Sequence, residues 1–553
     1  MSQPDRWASP RREPEPRPRA RRPSAALAWR GSVVGPSVLA GFGLALSIPP
    51  WGFWVLAFPS AALLWWRIGG LRMRTRFLAG WAAGLGLFVP GLWWAISFNV
   101  YGGIVLMVVQ ALALALACVT APRRPRGRTI ALAGAMVLVE ALRDTWPFGG
   151  LPIGGLALGQ VGGPLAGAAR LGGPLLVTGL VWLTGGALGA LVAAGAAAGR
   201  NTATRRHHAA PGRPRLVPVL GSIVAAVVTL AVVAGVSAWG AVAPDGGASV
   251  GTVRAAAVQG GGARGLHKSE VSPASVYAAQ VAATGEIASQ DAGRAPALVV
   301  WPEDTVALDG LLDGSQAETQ LAATAVALRA TLVVGVTESV PGARFRNEVV
   351  AFDPEGRIAS RYEKVHRVPF GEYIPYRGFF RHLADLSGVP LDAIPGHGDG
   401  VLHAPVGPLG TMVSYEVFYA ERGRVATRAG ARLLVVPTNT ASYATSQVPT
   451  QEIAAARLQA IAEGRDLVQA APTGFSALID HDGDVRARTV LGRRQVVVGD
   501  VALRTGATLY ERGGDVPVLV AAGLLVIAGW FAALGADDQR RFSSTTWSRS
   551  RRR

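Results

Sequence analysis

The chain is poor in three kinds of chemistry. It carries one cysteine in 553 residues, Cys118, and only two lysines, Lys268 and Lys364, among 54 basic residues; charged residues make up 16% of the whole. One cysteine excludes an internal disulfide and any metal site built on several thiolates. Cys118 lies in a long apolar run, where a lone cysteine behaves as a small core residue. His366, His397, His403 and His481 lack the spacing of a metal motif, so neither a metal nor another cofactor is expected.

The charge that is present is lopsided, with a formal net charge of +18. Such a balance suggests either nucleic acid or an anionic lipid surface, and the positions of the charges decide between them. Apolar runs near 30–48, 51–66, 77–98, 103–121, 129–143, 172–198, 216–240 and 516–534 approach or reach the length of about 20 residues that crosses a bilayer. The first run ends in Pro49-Pro50 with no small-residue cleavage pattern, so it is not read as a signal peptide. Arginines crowd alternate connections: the N-terminal tail, 67–76, 123–128, 200–215 and the closing Arg551-Arg552-Arg553. Under the positive-inside rule both termini are cytoplasmic and the segment 245–515 is extracytoplasmic. The basic charge then marks topology, and no nucleic-acid partner is expected.

The expected organisation is a disordered basic tail (1–29), a seven-helix transmembrane domain (30–244), an extracytoplasmic domain (245–515), a final transmembrane helix (516–534) and a basic cytoplasmic tail (535–553). Residues 247–251, GASVG, match the letters of a nucleophile elbow, but a span precedes them and a strand follows, so they read as linker. Beyond them, strand patterns at 252–259, 297–301, 331–337, 348–353, 357–365, 410–414, 432–437, 467–471, 475–480 and 496–501 mix with helical patterns at 273–289, 316–330 and 449–463. That mixture argues for a layered α/β domain.

Three of these apolar runs end in groups suited to catalysis. ALVVWPED places Glu303 after a buried run, where an apolar flank would raise its pKa towards a general base's range. Lys364, in SRYEKVHRVPFGE, stands out in a chain that otherwise uses arginine, and a compact ammonium suits a developing oxyanion. LGTMVSYEVFYAE ends a strand in Ser414, Tyr415 and Glu416, a hydroxyl beside a carboxylate. The segment 370–386, FGEYIPYRGFFRHLADL, reads either as an arm resting on the membrane interface or as a surface loop whose Phe379 and Phe380 pack on the domain.

Taken together, these motifs resemble the apolipoprotein N-acyltransferases, membrane enzymes with a nitrilase-like (carbon–nitrogen hydrolase) domain. The resemblance runs through Glu140-Ala-Leu-Arg143, Trp146, Gln160, Val258-Gln259-Gly260, Trp301-Pro302-Glu303, Tyr362-Glu363-Lys364, Val368 to Glu372, the SYEVFYAE stretch and Thr473 to Ala477. It implies an αββα sandwich carried on about eight transmembrane helices, with Glu303 as base, Lys364 as oxyanion-stabilising cation and Ser414 at the nucleophile's position. Glu372, Tyr415, Glu416, Gln160 and Trp146 take supporting or substrate-binding roles. It also implies transfer of a fatty acyl chain from a phospholipid donor, through an acyl-enzyme, to the α-amino group of a diacylated lipoprotein's N-terminal S-diacylglyceryl-cysteine, in a monomer in the cell membrane. Two departures stand out: serine replaces the family's usual cysteine at 414, and Lys268 stands where a tryptophan is common. The alternatives are a weak or inactive membrane scaffold beside a separate polyprenol-phosphate mannosyltransferase, and a nitrilase-type amidase. A serine lipase is excluded because Ser414 lacks a glycine-framed elbow.

Overall fold

The computed structural model describes residues 25–207, 216–262, 270–290, 293–383, 385–443 and 446–549. The first 24 residues, the connection at 208–215, Lys268 and the closing Arg551-Arg552-Arg553 lie outside them. Seven helices come first: α1 (Ala25–Ser47), α2 (Ala57–Arg67), α3 (Met73–Leu92), α4 (Val100–Thr120), α5 (Pro125–Thr145), α6 (Ala169–His207) and α7 (Leu216–Val242). A further long helix, Val516–Arg549, closes the chain and packs along α5. A helix therefore stands at each of the eight expected positions. Among the described residues, five stretches are long and apolar enough to cross a membrane: Met73–Ser97, Val100–Thr120, Ala166–Gly199, Val219–Val242 and Val516–Leu534. Of the other three, α1 contributes the apolar stretch Val33–Ser47, α2 has 11 residues, and α5 carries Glu140, Arg143 and Asp144 in its last turns. α6 is broken at Gly172-Gly173, where φ of Gly173 is +65° and an added Cβ would lie 2.5 Å from the ring of Tyr510.

The domain that follows begins earlier than the linker reading expects. Strand β1 (Ser249–Gln259) already includes Ser249–Gly251, paired with the last strand across a register shift. The remaining strands are β2 (Leu298–Val300), β3 (Val306–Leu308), β4 (Thr331–Val340), β5 (Arg344–Phe352), β6 (Ile358–Glu363), β7 (Asp392–Ala393), β8 (Val401–Ala404), β9 (Gly407–Thr411), β10 (Leu433–Pro437), β11 (Leu467–Ala470), β12 (Ala477–Ile479), β13 (Val485–Arg488) and β14 (Gln495–Arg504). One sheet runs β14-β1-β2-β4-β5-β6, with β3 on β4 and β7 on β5; the other runs β13-β12-β11-β10-β9-β8. The two sheets share one apolar layer, in which Ala255, Val300, Val333 and Ala351 meet Leu409, Val435, Val468 and Leu478. That burial is the main force holding the faces together.

Helices cover both outer faces. Between β1 and β4 the chain forms α8 (Pro273–Thr284), α9 (Ile287–Gln290) and α10 (Gln316–Leu328), and α8 and α10 cover the first sheet through Ala283, Leu321 and Ala325. The short α11 (Arg377–Phe380) follows β6, and α12 (Ala420–Arg428) follows β9. α13 (Val448–Glu463) lies on the second sheet, with Ile453 and Ala456 in a core that is continuous with Trp65, Phe88 and Leu156 of the helical domain. α13 is thus buried between sheet and membrane helices. The result is four layers, helix–sheet–sheet–helix, with one outer layer seated on the helical domain. The last two helices are α14 (Leu509–Gly513) and α15 (Val516–Arg549).

Candidate active site

Three chain reversals bring the polar groups together. Parallel β2 and β4 end side by side, and Glu303 leaves the sheet just after β2. Its Cα sits so close to β4 that a Cβ on Gly335 would lie 2.4 Å away, and Gly335 donates its N–H to the Pro302 carbonyl at 3.2 Å. Only glycine leaves room for that approach. Lys364 follows β6, and its N–H still donates to the Asn347 carbonyl of β5 at 2.9 Å. Its side chain therefore projects from a fixed strand.

Lys364 is 1% exposed and its Nζ makes two charged contacts, 2.9 Å to Glu303 Oε1 and 2.7 Å to Glu372 Oε1. Asn347 Nδ2 donates to the same two oxygens, at 2.8 and 3.2 Å. Glu372 accepts a further N–H from Val368 at 2.8 Å. Burial dominates at Glu303 and raises its carboxyl to about 7, despite the opposing pull of Lys364. Burial alone would lower the Lys364 ammonium's pKa, but the two carboxylates outweigh it and raise it, so the ammonium stays charged. A base near neutrality beside a permanent cation is a pair fit for nucleophile activation and oxyanion stabilisation.

Ser414 departs from the expected strand end. β9 stops at Thr411, and Ser414 opens a 3-10 turn, Ser414–Phe418, with φ of +51°. Such a conformation is costly for a residue with a Cβ and marks a position held by its surroundings. Glu416 is the principal holder. Fully buried, it accepts N–H bonds from Val413 (2.8 Å), Val365 (2.8 Å) and His366 (3.0 Å), and the hydroxyl of Tyr362 at 2.9 Å. One carboxylate thereby ties the turn bearing Ser414 to the residues directly after Lys364.

The helical domain supplies another support. Between α5 and α6, three successive carbonyls accept tyrosine hydroxyls at 3.0 Å: Phe148 from Tyr373, Gly149 from Tyr419 and Gly150 from Tyr415. Tyr373 adjoins Glu372 and Tyr415 adjoins Ser414. Arg143 shapes this connection, pairing with Glu140 at 3.0 Å and donating to the Ile153 carbonyl at 2.9 Å. Tyr443 packs edge-on against Trp94 and lies 5.0 Å from Phe98, both from the α3–α4 region. Burial, with Glu372 and Glu303 nearby, raises the Tyr443 hydroxyl to about 12.

The other expected residues fall elsewhere. Gln160 is fully buried and donates to the Trp54 carbonyl at 3.3 Å, a contact inside the helical domain. Trp146, just after α5, is 64% exposed. The 370–386 segment divides between its two readings: Phe380 packs on Phe370 and Phe148, whereas Phe379 and Leu383 are exposed. Asp480, His481 and Asp482 have side-chain atoms within 4.8 Å of one another, a proximity the spacing of the histidines does not reveal. Arg486 and Arg170 already pair with these two aspartates. Asn347, which bridges Glu303 and Glu372, is the site residue that sequence reasoning missed; it stands between Arg346 and Glu348 at the polar end of RFRNEVVAF, where nothing local marks it out.

A two-sheet domain with this buried Glu–Lys pair, set on an apolar helical domain, defines a membrane-associated member of the carbon–nitrogen hydrolase class. The carbon–nitrogen hydrolase family model matches residues 254–510, and that of the apolipoprotein N-acyltransferase N-terminal domain matches residues 40–187. The apolipoprotein N-acyltransferase of Mycolicibacterium smegmatis is 34% identical over 564 residues, covering 93% of this chain and 91% of its own. That of Pseudomonas putida is 28% identical over 527 residues, covering 92% and 97%. A crystal structure of a carbon–nitrogen hydrolase from Helicobacter pylori G27 aligns with 45% of this chain and 89% of its own, at 18% identity and a TM-score of 0.35. The chain belongs to the apolipoprotein N-acyltransferase family.

Two outcomes follow from this geometry. Gly335→Ala should push Glu303 off its position and lower kcat roughly 100-fold, the usual consequence of a displacement near 1 Å, while circular dichroism shows an intact fold. Glu303 must be ionised to accept a proton. Activity should therefore rise with pH through about 7, and a rate profile flat from pH 5 to 8 would contradict its role as base.

Proposed function

We propose that the chain is an apolipoprotein N-acyltransferase in which Ser414 is the nucleophile. The observation that carries this reading is the buried Glu303–Lys364–Glu372 cluster tied through Glu416 to the turn bearing Ser414. In the first half-reaction Ser414 Oγ attacks an ester carbonyl of a phospholipid while Glu303 takes its proton. The Lys364 ammonium faces the oxyanion. As the ester C–O bond breaks, the proton returns to the leaving lysophospholipid oxygen and an acyl-serine ester remains. In the second half, the α-amino nitrogen of a diacylglyceryl-cysteine attacks that ester and gives its proton to Glu303. The N-acyl bond forms, and Ser414 Oγ leaves and is reprotonated.

Both substrates are lipid-anchored, which favours a site at a membrane surface. The contacts of Tyr443 with Trp94 and Phe98, and of Phe380 with Phe148, support an approach from the helical domain. The same reading gives eight crossings, cytoplasmic termini and an extracytoplasmic domain at 245–515, supported by the alternation of arginines along the sequence. The scaffold reading draws support from the serine alone, and a scaffold has no use for a buried, fully paired Glu–Lys–Glu cluster. An amidase acting on a soluble amide has no need of the helical domain.

The test is to incubate the purified protein with acyl-labelled phospholipid and map the adduct. Label should sit on Ser414, and Ser414→Ala should lower lipopeptide N-acylation at least about a thousandfold. Undiminished transfer by Ser414→Ala would sink the assignment. Ser414→Cys should retain activity, since a thiol is the easier nucleophile to ionise.

The exposed residues of the 370–386 segment yield a separate expectation. Phe379→Asp with Leu383→Asp should lower activity on lipid substrates with the melting temperature unchanged. Equal activity would assign the segment to the domain surface.

A further inference from the structure

The end of the helical domain farthest from Ser414 holds a concentration of positive charge. No aspartate or glutamate occurs between Glu15 and Glu140, while arginines crowd the α2–α3 and α4–α5 connections. Arg72, Arg74 and Arg123 are exposed, and topology alone accounts for them. Arg76 and Arg128 are different, at 4% and 3% exposed.

Each of these two guanidiniums is only partly satisfied. Arg76 donates Nη1 to the Ala121 carbonyl at the end of α4, and Arg128 donates Nη1 to the Arg123 carbonyl at 3.2 Å. The Arg128 guanidinium also lies over the Trp65 ring, 4.0 Å from its centroid. The Nε of both is buried without an acceptor, and neither has a carboxylate partner among the described residues. Arg76 moreover feels the charges of Arg123 and Arg128. Proximity to the C-terminal ends of α2 and α4 offsets a small part of the cost of desolvating a guanidinium, and here two adjoin.

We propose that Arg76 and Arg128, with Arg123 at the rim, hold the phosphate of an anionic phospholipid at the membrane face opposite the catalytic domain. The guanidinium fork matches phosphate oxygens, and basic recesses between membrane helices take phosphorylated head groups. On the neighbouring α2 and α3, Trp66, Met73 and Phe77 are exposed and present apolar surface to acyl chains. The site is distinct from the acyl-donor site. Phe148, which touches the catalytic domain through Tyr373, follows the far end of α5, and 21 helical residues separate the two ends by about 30 Å. The bound lipid anchors the α2–α3 and α4–α5 connections and so fixes the helical domain on which the active site rests. The assignment requires that the helices lie in a bilayer and is independent of the chemistry at Ser414.

The test is native mass spectrometry of the full chain with phosphatidylglycerol or phosphatidylcholine titrated in. The wild type should retain one phosphatidylglycerol in preference to phosphatidylcholine. Arg76→Gln with Arg128→Gln should weaken that retention about 30-fold, and the exposed-rim variant Arg123→Gln about fivefold, a change the fold should tolerate. Arg76→Lys with Arg128→Lys should recover part of the loss. The Ser414→Ala protein should bind as the wild type does, which separates this result from the fate of the acyltransferase reading. Equal retention of the two lipids by the wild type, or undiminished phosphatidylglycerol affinity in folded Arg123→Gln, overturns the proposal. Inorganic phosphate that displaces phosphatidylglycerol at equal concentration overturns the lipid as its source.

Discussion

Three glutamates are taken out of water between the two sheets and their connections, and a buried ionised carboxylate must be paired or fully hydrogen-bonded. Much of the site's architecture answers that requirement. Glu303 and Glu372 share one ammonium and one amide, Lys364 and Asn347. Glu416 has no cation in contact and is satisfied by three backbone N–H groups and one phenol. Its donors come from both sheets: Val413 follows β9, while Tyr362, Val365 and His366 belong to β6 and the residues beyond it. The sheets are pressed together by apolar burial, which has no direction. Glu416 supplies a direction, because its donors are met only when the Ser414 turn and the Lys364 segment stand in one relative position.

The same constraint explains why a chain so committed to arginine keeps a lysine here. Two carboxylate oxygens lie 2.9 and 2.7 Å from a single nitrogen. An ammonium is a compact charge that fits between them, whereas a planar guanidinium would spread the oxygens apart and fill the space a reacting carbonyl needs. The arrangement also bears on the serine. A free cysteine thiol, with a pKa of about 8.5, is partly ionised before any help arrives, and a serine hydroxyl is not. In the mechanism proposed above, such a nucleophile would depend on its base, and burial raises the Glu303 carboxyl to about 7, where it could accept and return a proton near neutrality. The positive φ of Ser414 stores local strain that Glu416 and Tyr415 hold in place.

Much of this was legible in the sequence, for identifiable reasons. Inner strands such as Leu433–Pro437 are continuous apolar runs, and the polar residues ending them announce themselves. Glu303 lies where such a run stops, and Lys364 follows the edge strand β6. The strands that escaped, Val306–Leu308, Asp392–Ala393, Val401–Ala404 and Val485–Arg488, have only two to four residues and lie at sheet edges or off the main strand order, where alternation is weak. α12 escaped because its sequence, AERGRVATR, is short and mostly polar, and it is held by Tyr362 through Arg422. Asn347 joins Glu303 across 44 positions and Tyr415 reaches Gly150 across 265, contacts that no local pattern can register. The eight apolar runs each became a helix. α2, with 11 residues, and α5, with charges in its last turns, do not by themselves reach the length and hydropathy of a spanning helix.

The tyrosine contacts show why the two domains belong together. A hydrogen bond to a backbone carbonyl adds modest net stability, about 1 kcal/mol, so three of them do not by themselves hold a domain on its base. Their placement carries the weight. Tyr373 stands next to Glu372, Tyr415 next to Ser414, and Tyr419 under the stacked ring of His366, two residues beyond Lys364. Glu372, Ser414 and Lys364 thus each have a residue close by in the chain that is tied to the same three-residue stretch of the helical domain, Phe148–Gly150. Arg143 keeps that stretch in shape from inside α5. The catalytic geometry is therefore referenced to the membrane helices as well as to the sheets. That suits a reaction whose two substrates are confined to a surface, because both must arrive at one height above it.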